Sequence, residues 1–314
     1  MPTHNHHTPN ETFDSQPPAD NHTHARLCVF ASGSSGNCSI LQTATSAILI
    51  DAGLSPRRTR SHLNRIGLDL ADIDAILLTH LDSDHFHAGW PRALPERLPV
   101  FVHSTHTDRA RTRNLPRANT QSFGRSFAPA ENITASVTLN HHDEQGTAAF
   151  RFLLNDGANL GFATDLGKPT RRLARHMAGV DVLAIESNYS PVMQRNANRP
   201  QFLKDRVMGG WGHLSNEECL QLIQHITPRE HVVLLHLSQQ CNDPALLETL
   251  HEDRPYTLTI SSQNQPTPWI AIEPSRRAEP VTPCEIKPDQ CPAQHTAQHE
   301  TRTVKSKLLF GTPP

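Results

Sequence analysis

Four side chains able to ligate a metal ion fall within six positions in the run Thr79-His80-Leu81-Asp82-Ser83-Asp84-His85. The run follows the apolar stretch Ala75-Ile76-Leu77-Leu78, which reads as a buried strand. A strand that ends in a ligand-rich loop holds its side chains rigidly, as a catalytic metal site requires. The spacing H-x-D-x-D-H lets alternate residues, His80 and Asp82, converge on one ion while Asp84 and His85 reach a second. The run reads as half of a two-metal hydrolytic centre. A calcium-loop reading of Asp82-Ser83-Asp84 fails, because Phe86 occupies the next ligand position and His87 the place where glycine is needed.

Three further segments end strands with ligand-type residues. They are His141-His142-Asp143, Ala163-Thr164-Asp165-Leu166-Gly167 and Leu234-Leu235-His236-Leu237-Ser238. A single histidine or aspartate at a strand end is ordinarily a satisfied polar residue. Four such ends in one chain supply enough nitrogen and oxygen donors for two ions.

The elements that must position these residues can be read from periodicity and turn signals. Strands are expected at Arg26–Phe30, Ser39–Thr43, Ala47–Asp51, Ala75–Leu78, Val100–His103, Ile133–Asn140, Ala148–Leu154, Asn159–Ala163, Asp181–Ile185 and His231–Leu235. Ser55 caps a helix that begins at Pro56 and stops at Gly67. A basic helix is expected after Val100–His103. Ser215-Asn216-Glu217-Glu218 is a capping box. Strands and helices mix in both halves, without an internal repeat, so two sheets with helices outside is the natural architecture.

The chain has 314 residues, of which 36% are hydrophobic, and a net charge of −2. Residues 1–25 and 275–314 are expected to be disordered tails, being rich in Pro, His, Gln and Thr and poor in apolar periodicity. One domain, residues 26–274, is left, long enough to bury a sizeable core. His4, His6, His7, His22 and His24 have no fold to position them. Cys284, Cys291, His295 and His299 have zinc-like spacing but lack the apolar residues of a zinc module. The charge gives no global signature of a nucleic-acid binder. Local arginine clusters (Arg57, Arg58, Arg60, Arg65; Arg109, Arg111, Arg113, Arg117; Arg171, Arg172, Arg175) are either solvated helix faces or a phosphate-tracking path. Cys28, Cys38, Cys219 and Cys241 read as reduced structural thiols. No signal-peptide core is present and no run approaches ~20 apolar residues, so a cytoplasmic, non-membrane protein is expected; protein partners are left open.

The order of Asp51, the H-x-D-x-D-H run, His, Asp and His resembles that of the metallo-β-lactamase-fold hydrolases. The segments Ala31–Cys38, Ile50–Ser55, Ala163–Gly167, Glu186-Ser187-Asn188, Gly212–Asn216 and His236-Leu237-Ser238 resemble the YycJ (WalJ) branch, from about Leu27 to Pro244. The resemblance implies an α/β (α+β) four-layer αββα sandwich with metals at one edge. It also implies phosphodiester hydrolysis, since members of the branch are associated with DNA exonuclease activity. Carried over by position, His80, Asp82 and His142 would hold a first ion. Asp84, His85 and His236 would hold a second, and Asp165 would bridge them. His142 is preferred over His141 because the family pattern is His followed by Asp. Asp51 resembles the buried acid that braces the metal loop. Two divalent ions, Zn²⁺, Mn²⁺ or Fe²⁺, are expected; most relatives carry His where this chain has Asp82, and the harder ligand tilts the first site towards Mn²⁺ or Fe²⁺ relative to a three-His site.

The expected chemistry follows from charge: a pair of divalent ions activates a shared water and offsets charge on the phosphoryl group. The catalytic residues are then Asp84 and His213, with His213 binding the phosphate or protonating the leaving oxygen. Ser35, Asn37 and Asn188 are candidate substrate contacts, and nucleic acid or another phosphodiester is the expected partner. The segment from Tyr189 to Gly210, with Arg195, Arg199, Lys204 and Arg206, is expected to cover the site. Two alternatives stand: hydrolysis of a carboxylic ester, thioester or lactone by the same centre, and a non-catalytic metal-binding interaction protein.

Overall fold

The computed structural model describes residues 25–275 apart from residue 143. The tail histidines, Cys284, Cys291, His295, His299, Asp143 and the tail segments other than Ala25 and Ser275 lie outside the described residues. Ala25 itself opens the first strand.

The first sheet is built from β1 (Ala25–Ala31), β2 (Cys38–Gln42), β3 (Ala47–Ile50), β4 (Ala75–Leu77), β5 (Val100–His103) and β6 (Thr120–Phe123). The second contains β7 (Ser126–Ala130), β8 (Ile133–Asn140), β9 (Thr147–Leu154), β10 (Asn159–Ala163), β11 (Val182–Glu186), β12 (His231–Leu235) and β13 (Thr257–Ile260). The last strand, β14 (Ile270–Ile272), returns to the first sheet beside β1. The spatial orders are β14-β1-β2-β3-β4-β5-β6 and β13-β12-β11-β10-β9-β8-β7. The helices are α1 (Pro56–Arg65), α2 (Thr107–Thr112), α3 (Arg171–Met177), α4 (Pro191–Asn196), α5 (Gln201–Met208), α6 (Asn216–Ile226) and α7 (Pro244–Leu250).

Side chains alternate across a strand, so strands apolar on both faces need cover on both. In β1, Leu27 and Val29 enter the layer between the sheets, whereas Cys28 and Phe30 face outward with Leu63 of α1. In β11, Val182 and Ala184 face the other sheet, while Leu183 and Ile185 pack with Leu173 and Met177 of α3 and Ile223 and Ile226 of α6. Three apolar layers between four tiers of structure give the expected αββα sandwich. The caps read from sequence are formed: Ser55 Oγ accepts from Arg58 N, and Ser215 and Glu218 close the reciprocal box of α6.

This topology creates one chemically special edge. The β3-β4-β5-β6 and β10-β11-β12-β13 blocks are parallel. The carboxyl ends of such strands are where open α/β sheets build their sites. Among the described residues, no helix is long and apolar enough to cross a membrane.

Candidate metal centre

Each strand that reaches this edge delivers a polar residue immediately after its last apolar one. Asp51 follows β3, Thr79 and His80 follow β4, His142 follows β8, Asp165 follows β10, Glu186 ends β11 and His236 follows β12. Asp51, Asp165 and His236 sit in the left-handed region, with φ of 62°, 51° and 56°. Non-glycine residues adopt that conformation at a cost and chiefly at functional sites. Here it breaks the strand just where the side chain must turn into the cleft.

The Asp82–His87 turn is fastened from behind. Ala52 N donates to His85 O and His87 N to Ala52 O, at 2.8 and 2.9 Å. Gly53 lies so close to Asp84 that a Cβ there would stand 1.7 Å from the Asp84 carbonyl oxygen. Asn37 N donates to the same carbonyl at 2.7 Å, and its carboxamide spans Gly33 O, Asp84 O and His85 Nε2. Asn188 Nδ2 bonds His236 O at 2.6 Å. Asn37 and Asn188, candidates for substrate contact, are thus buried braces of metal-loop residues. Ser35 remains exposed, with its backbone N–H on Gln263 Oε1.

Asp51 fixes the orientation of His85. Its Oδ1 accepts from Thr79 N and Thr79 Oγ1, and its Oδ2 lies 2.8 Å from His85 Nδ1. That contact leaves His85 Nε2 facing the cleft, 2.5 Å from Asp165 Oδ2 and 3.6 Å from Asp84 Oδ2. His142 Nδ1 is likewise engaged, 2.9 Å from Gly212 O, so its Nε2 faces inward. His141 is exposed, its ring edge-on to Trp211. His236 Nε2 lies 3.3 Å from Asp84 Oδ2, and His236 Nδ1 lies 3.1 Å from Asp165 Oδ1.

Donor atoms of His80, His142 and Asp165 lie within 4.8 Å of one another, as do those of Asp84, His85 and His236. Asp82 stands at the margin, its Oδ2 3.8 Å from His80 Nε2 and 4.0 Å from His142 Nε2 while its Oδ1 is paired with Arg109. A third group of donors was not read from the sequence as a unit: Asp165, Glu186, His213 and His236. Glu186 is fully buried; Oε1 lies 2.6 Å from His213 Nδ1 and Oε2 accepts from Leu166 N at 2.6 Å. The signal in the sequence was a carboxylate ending the otherwise apolar run Val182–Ile185, since a buried charge requires partners.

Several of these ligand atoms lack a hydrogen-bond partner among the described residues. His80 Nε2 and both carboxylate oxygens of Asp165 are buried and lack a partner of hydrogen-bond geometry, although imidazole nitrogens stand close by. Lone pairs aimed at one another across a small space are what a cation would fill, and the imidazole–carboxylate set suits Zn²⁺, Mn²⁺ or Fe²⁺. The titration behaviour agrees. Burial would raise Asp165, but the His236 and His85 imidazoles hold it well below the usual carboxylate range. Burial opposes a charge on His85, yet Asp165, Asp51 and Asp84 carry it well above the ordinary imidazole value. Against the same opposition, Glu186 and Asp165 lift His213 to about 10, and Asp165 lifts His236 to about 9. Burial and the neighbouring His85 keep His80 low. The cleft draws in positive charge, as protons when no metal is bound.

The contact to the candidate site comes from just beyond the Tyr189–Gly210 segment expected to cover it. Tyr189 bridges to Ser215, and Gly212 O touches His142. Of the cations named there, Arg199 bonds Gln240 and Lys204 bonds Arg195 O, while α5 has no buried residue.

Comparison with known proteins agrees with the fold. A family model described as a beta-lactamase superfamily domain matches residues 46–237. The chain is 28% identical over 231 residues to exodeoxyribonuclease WalJ of Streptococcus pneumoniae, covering 69% of this chain and 83% of that protein. It is 28% identical over 222 residues to exodeoxyribonuclease YycJ of Bacillus anthracis, covering 68% and 83%. Among solved structures, the metallo-beta-lactamase fold protein YhfI from Bacillus subtilis superposes with a TM-score of 0.60 at 14% identity, over 78% of this chain and 99% of that one. The chain therefore belongs to the beta-lactamase superfamily, as a metallo-β-lactamase-fold protein similar to WalJ and YycJ.

Proposed function

We propose that this protein is a metal-dependent phosphodiesterase acting on nucleic acid, as a DNA exonuclease. The observation that carries the reading is Asp165, a buried carboxylate with both oxygens unpartnered that lies within ion-pair distance of His80, His85, His213 and His236. The exodeoxyribonuclease names of the similar proteins supply the substrate class.

His80, His142 and Asp82 would hold one divalent ion, Asp84, His85 and His236 a second, with Asp165 between them; Zn²⁺, Mn²⁺ and Fe²⁺ suit these donors. Bound there, the ions would supply an activated water and neutralise phosphoryl charge. The protein's own residues do the rest. Asp51 and Gly212 O fix which nitrogen of His85 and of His142 faces the cleft. Glu186 holds Nδ1 of His213, leaving Nε2 free to carry a proton at neutral pH. The His213 ring lies 5.5 Å from His142 and 5.1 Å from His236, between the two donor groups, and its side chain is 22% exposed. It is therefore placed to bind a phosphate oxygen or to deliver its proton to the leaving oxygen.

End-labelled DNA incubated with protein and Mn²⁺, then with chelator, tests the reading. Stepwise loss of nucleotides that stops with chelator supports it. Turnover of thioesters or lactones without phosphodiester turnover would replace it with acyl hydrolysis, and no turnover of either with no metal held would leave an interaction protein.

A further inference from the structure

The arginine cluster around α2 divides: Arg111 pairs with Asp108 on the exposed face, whereas Arg109 and Arg113 do not. Arg109 of α2 and Arg113, the residue that follows this helix, turn back onto the Asp82–His87 turn. Arg109 Nη2 pairs with Asp82 Oδ1, and Arg113 Nη2 donates to Phe86 O at 2.7 Å. The Asp82 carboxylate is therefore divided. One oxygen is held by a guanidinium, and the other faces His80 and His142 across 3.8 and 4.0 Å. The Asp82 and Arg109 side chains are 24% and 35% exposed, so the pair forms the rim of the first donor group. Asp84, its counterpart in the second group, faces the imidazoles of His85 and His236.

We propose that Arg109 is a positioning residue that sets the strength of the first metal site. It binds Asp82, offsets part of its charge and keeps this site the weaker and more readily emptied of the two. The inference rests on reading the donor groups as metal sites. Its physics is simple. A carboxylate is the strongest donor the first group can add to Asp165, but a cation approaching Asp82 Oδ2 also meets the guanidinium on Oδ1. The guanidinium stands farther from such a cation than the carboxylate does, so its repulsion offsets part of the attraction. Asp82 paired in this way is a weaker ligand than a free carboxylate. The bidentate-capable fork of Arg109 also holds the second oxygen away from the cleft.

Calorimetric titration of metal-free, full-length protein with Mn²⁺ alone tests this. Wild type is expected to show a tight and a weak event. Arg109→Gln frees the carboxylate and removes a charge, so the weak event should tighten by about tenfold or more while the tight event stays put. Arg109→Lys keeps the charge and should restore weak binding to near the wild-type value. Asp82→His offers a neutral ligand that Arg109 does not pair with, and should also tighten the weak event. Thermal melting of the metal-free variants checks their folding, and if Arg109→Gln does not fold, Asp82→His decides alone. A weak event unchanged or weakened in folded Arg109→Gln or Asp82→His would overturn the proposal. So would unchanged Mn²⁺ affinity with a raised KM for DNA in Arg109→Gln, since Arg109 would then grip substrate. Wild type that binds no Mn²⁺ would sink the metal-centre reading itself, a distinct result.

Discussion

Glu186 Oε1 lies 2.6 Å from His213 Nδ1, a carboxylate that is fully buried against an imidazole that is partly exposed. The pair joins the carboxyl end of β11 to the loop before α6. It turns an isolated histidine into one that carries a proton at neutral pH, with its value lifted to about 10.

Glu186→Gln should lower kcat on DNA by about a hundredfold with little change in KM, the size expected for loss of a positioned proton donor. His213→Ala should cost a similar factor, and the double variant no more than either alone. On p-nitrophenyl phosphodiesters, whose leaving group needs no proton, the loss should be much smaller. Steady-state kinetics on the two substrate types separates this role from a general weakening of the site.

Asp51→Asn removes the acceptor that fixes His85. Its Oδ2 is 2.8 Å from His85 Nδ1, and burial already raises Asp51, so little of the carboxylate's work is done for solvent. Loss of such a supporting partner should weaken metal affinity by about 10- to 100-fold. Metal titration monitored by calorimetry checks this, with circular dichroism as a control for folding.

The metal-free protein should lose stability in alkali. His236 and His213 lie at about 9 and about 10, above their unfolded value of 6.5. The stability from their pairing with Asp165 and Glu186 is therefore full below pH 6.5 and is lost as pH rises through 9 to 10. Metal binding must expel such protons, so it should release protons at pH 7 and strengthen as pH rises. Melting temperatures in chelator across pH, and calorimetry in two buffers of different ionisation enthalpy, read the two effects.

His251 makes the opposite prediction. Burial lowers it to about 4; Nδ1 is 2.7 Å from Tyr256 Oη, and the buried Nε2 has no hydrogen-bond partner among the described residues. Its folded value lies below its unfolded one, so its contribution is present above pH 6.5 and is lost as pH falls towards 4. His251→Gln should melt with less sensitivity to acid over that window than wild type.

The part of the site written contiguously was legible. His80, Asp82, Asp84 and His85 follow one apolar strand, and Asp165 and His236 each follow another, so local pattern announced them. His213 was read as catalytic and Glu186 only as part of a family-like segment; their pairing was not read because the two are distant in sequence. Arg109 was seen as one of a basic cluster, but only the tertiary fold shows that it meets Asp82. Among the strands, the buried ones were plain from their apolar runs. β7 contains Pro129 and exposed positions, β13 is half-exposed and β14 has three residues, so these edge elements lacked a clear alternating signal. The exposed α5 has no apolar stripe to reveal it.

The decisive measurement uses full-length wild type and Asp165→Ala, reconstituted with Mn²⁺, assayed together for DNA hydrolysis and for metal content. The account requires wild type to hold about two ions and release nucleotides, and Asp165→Ala to stay folded, bind less metal and turn over at least about a thousandfold more slowly. Equal activity of the two proteins, or a wild type that holds no metal, would contradict it.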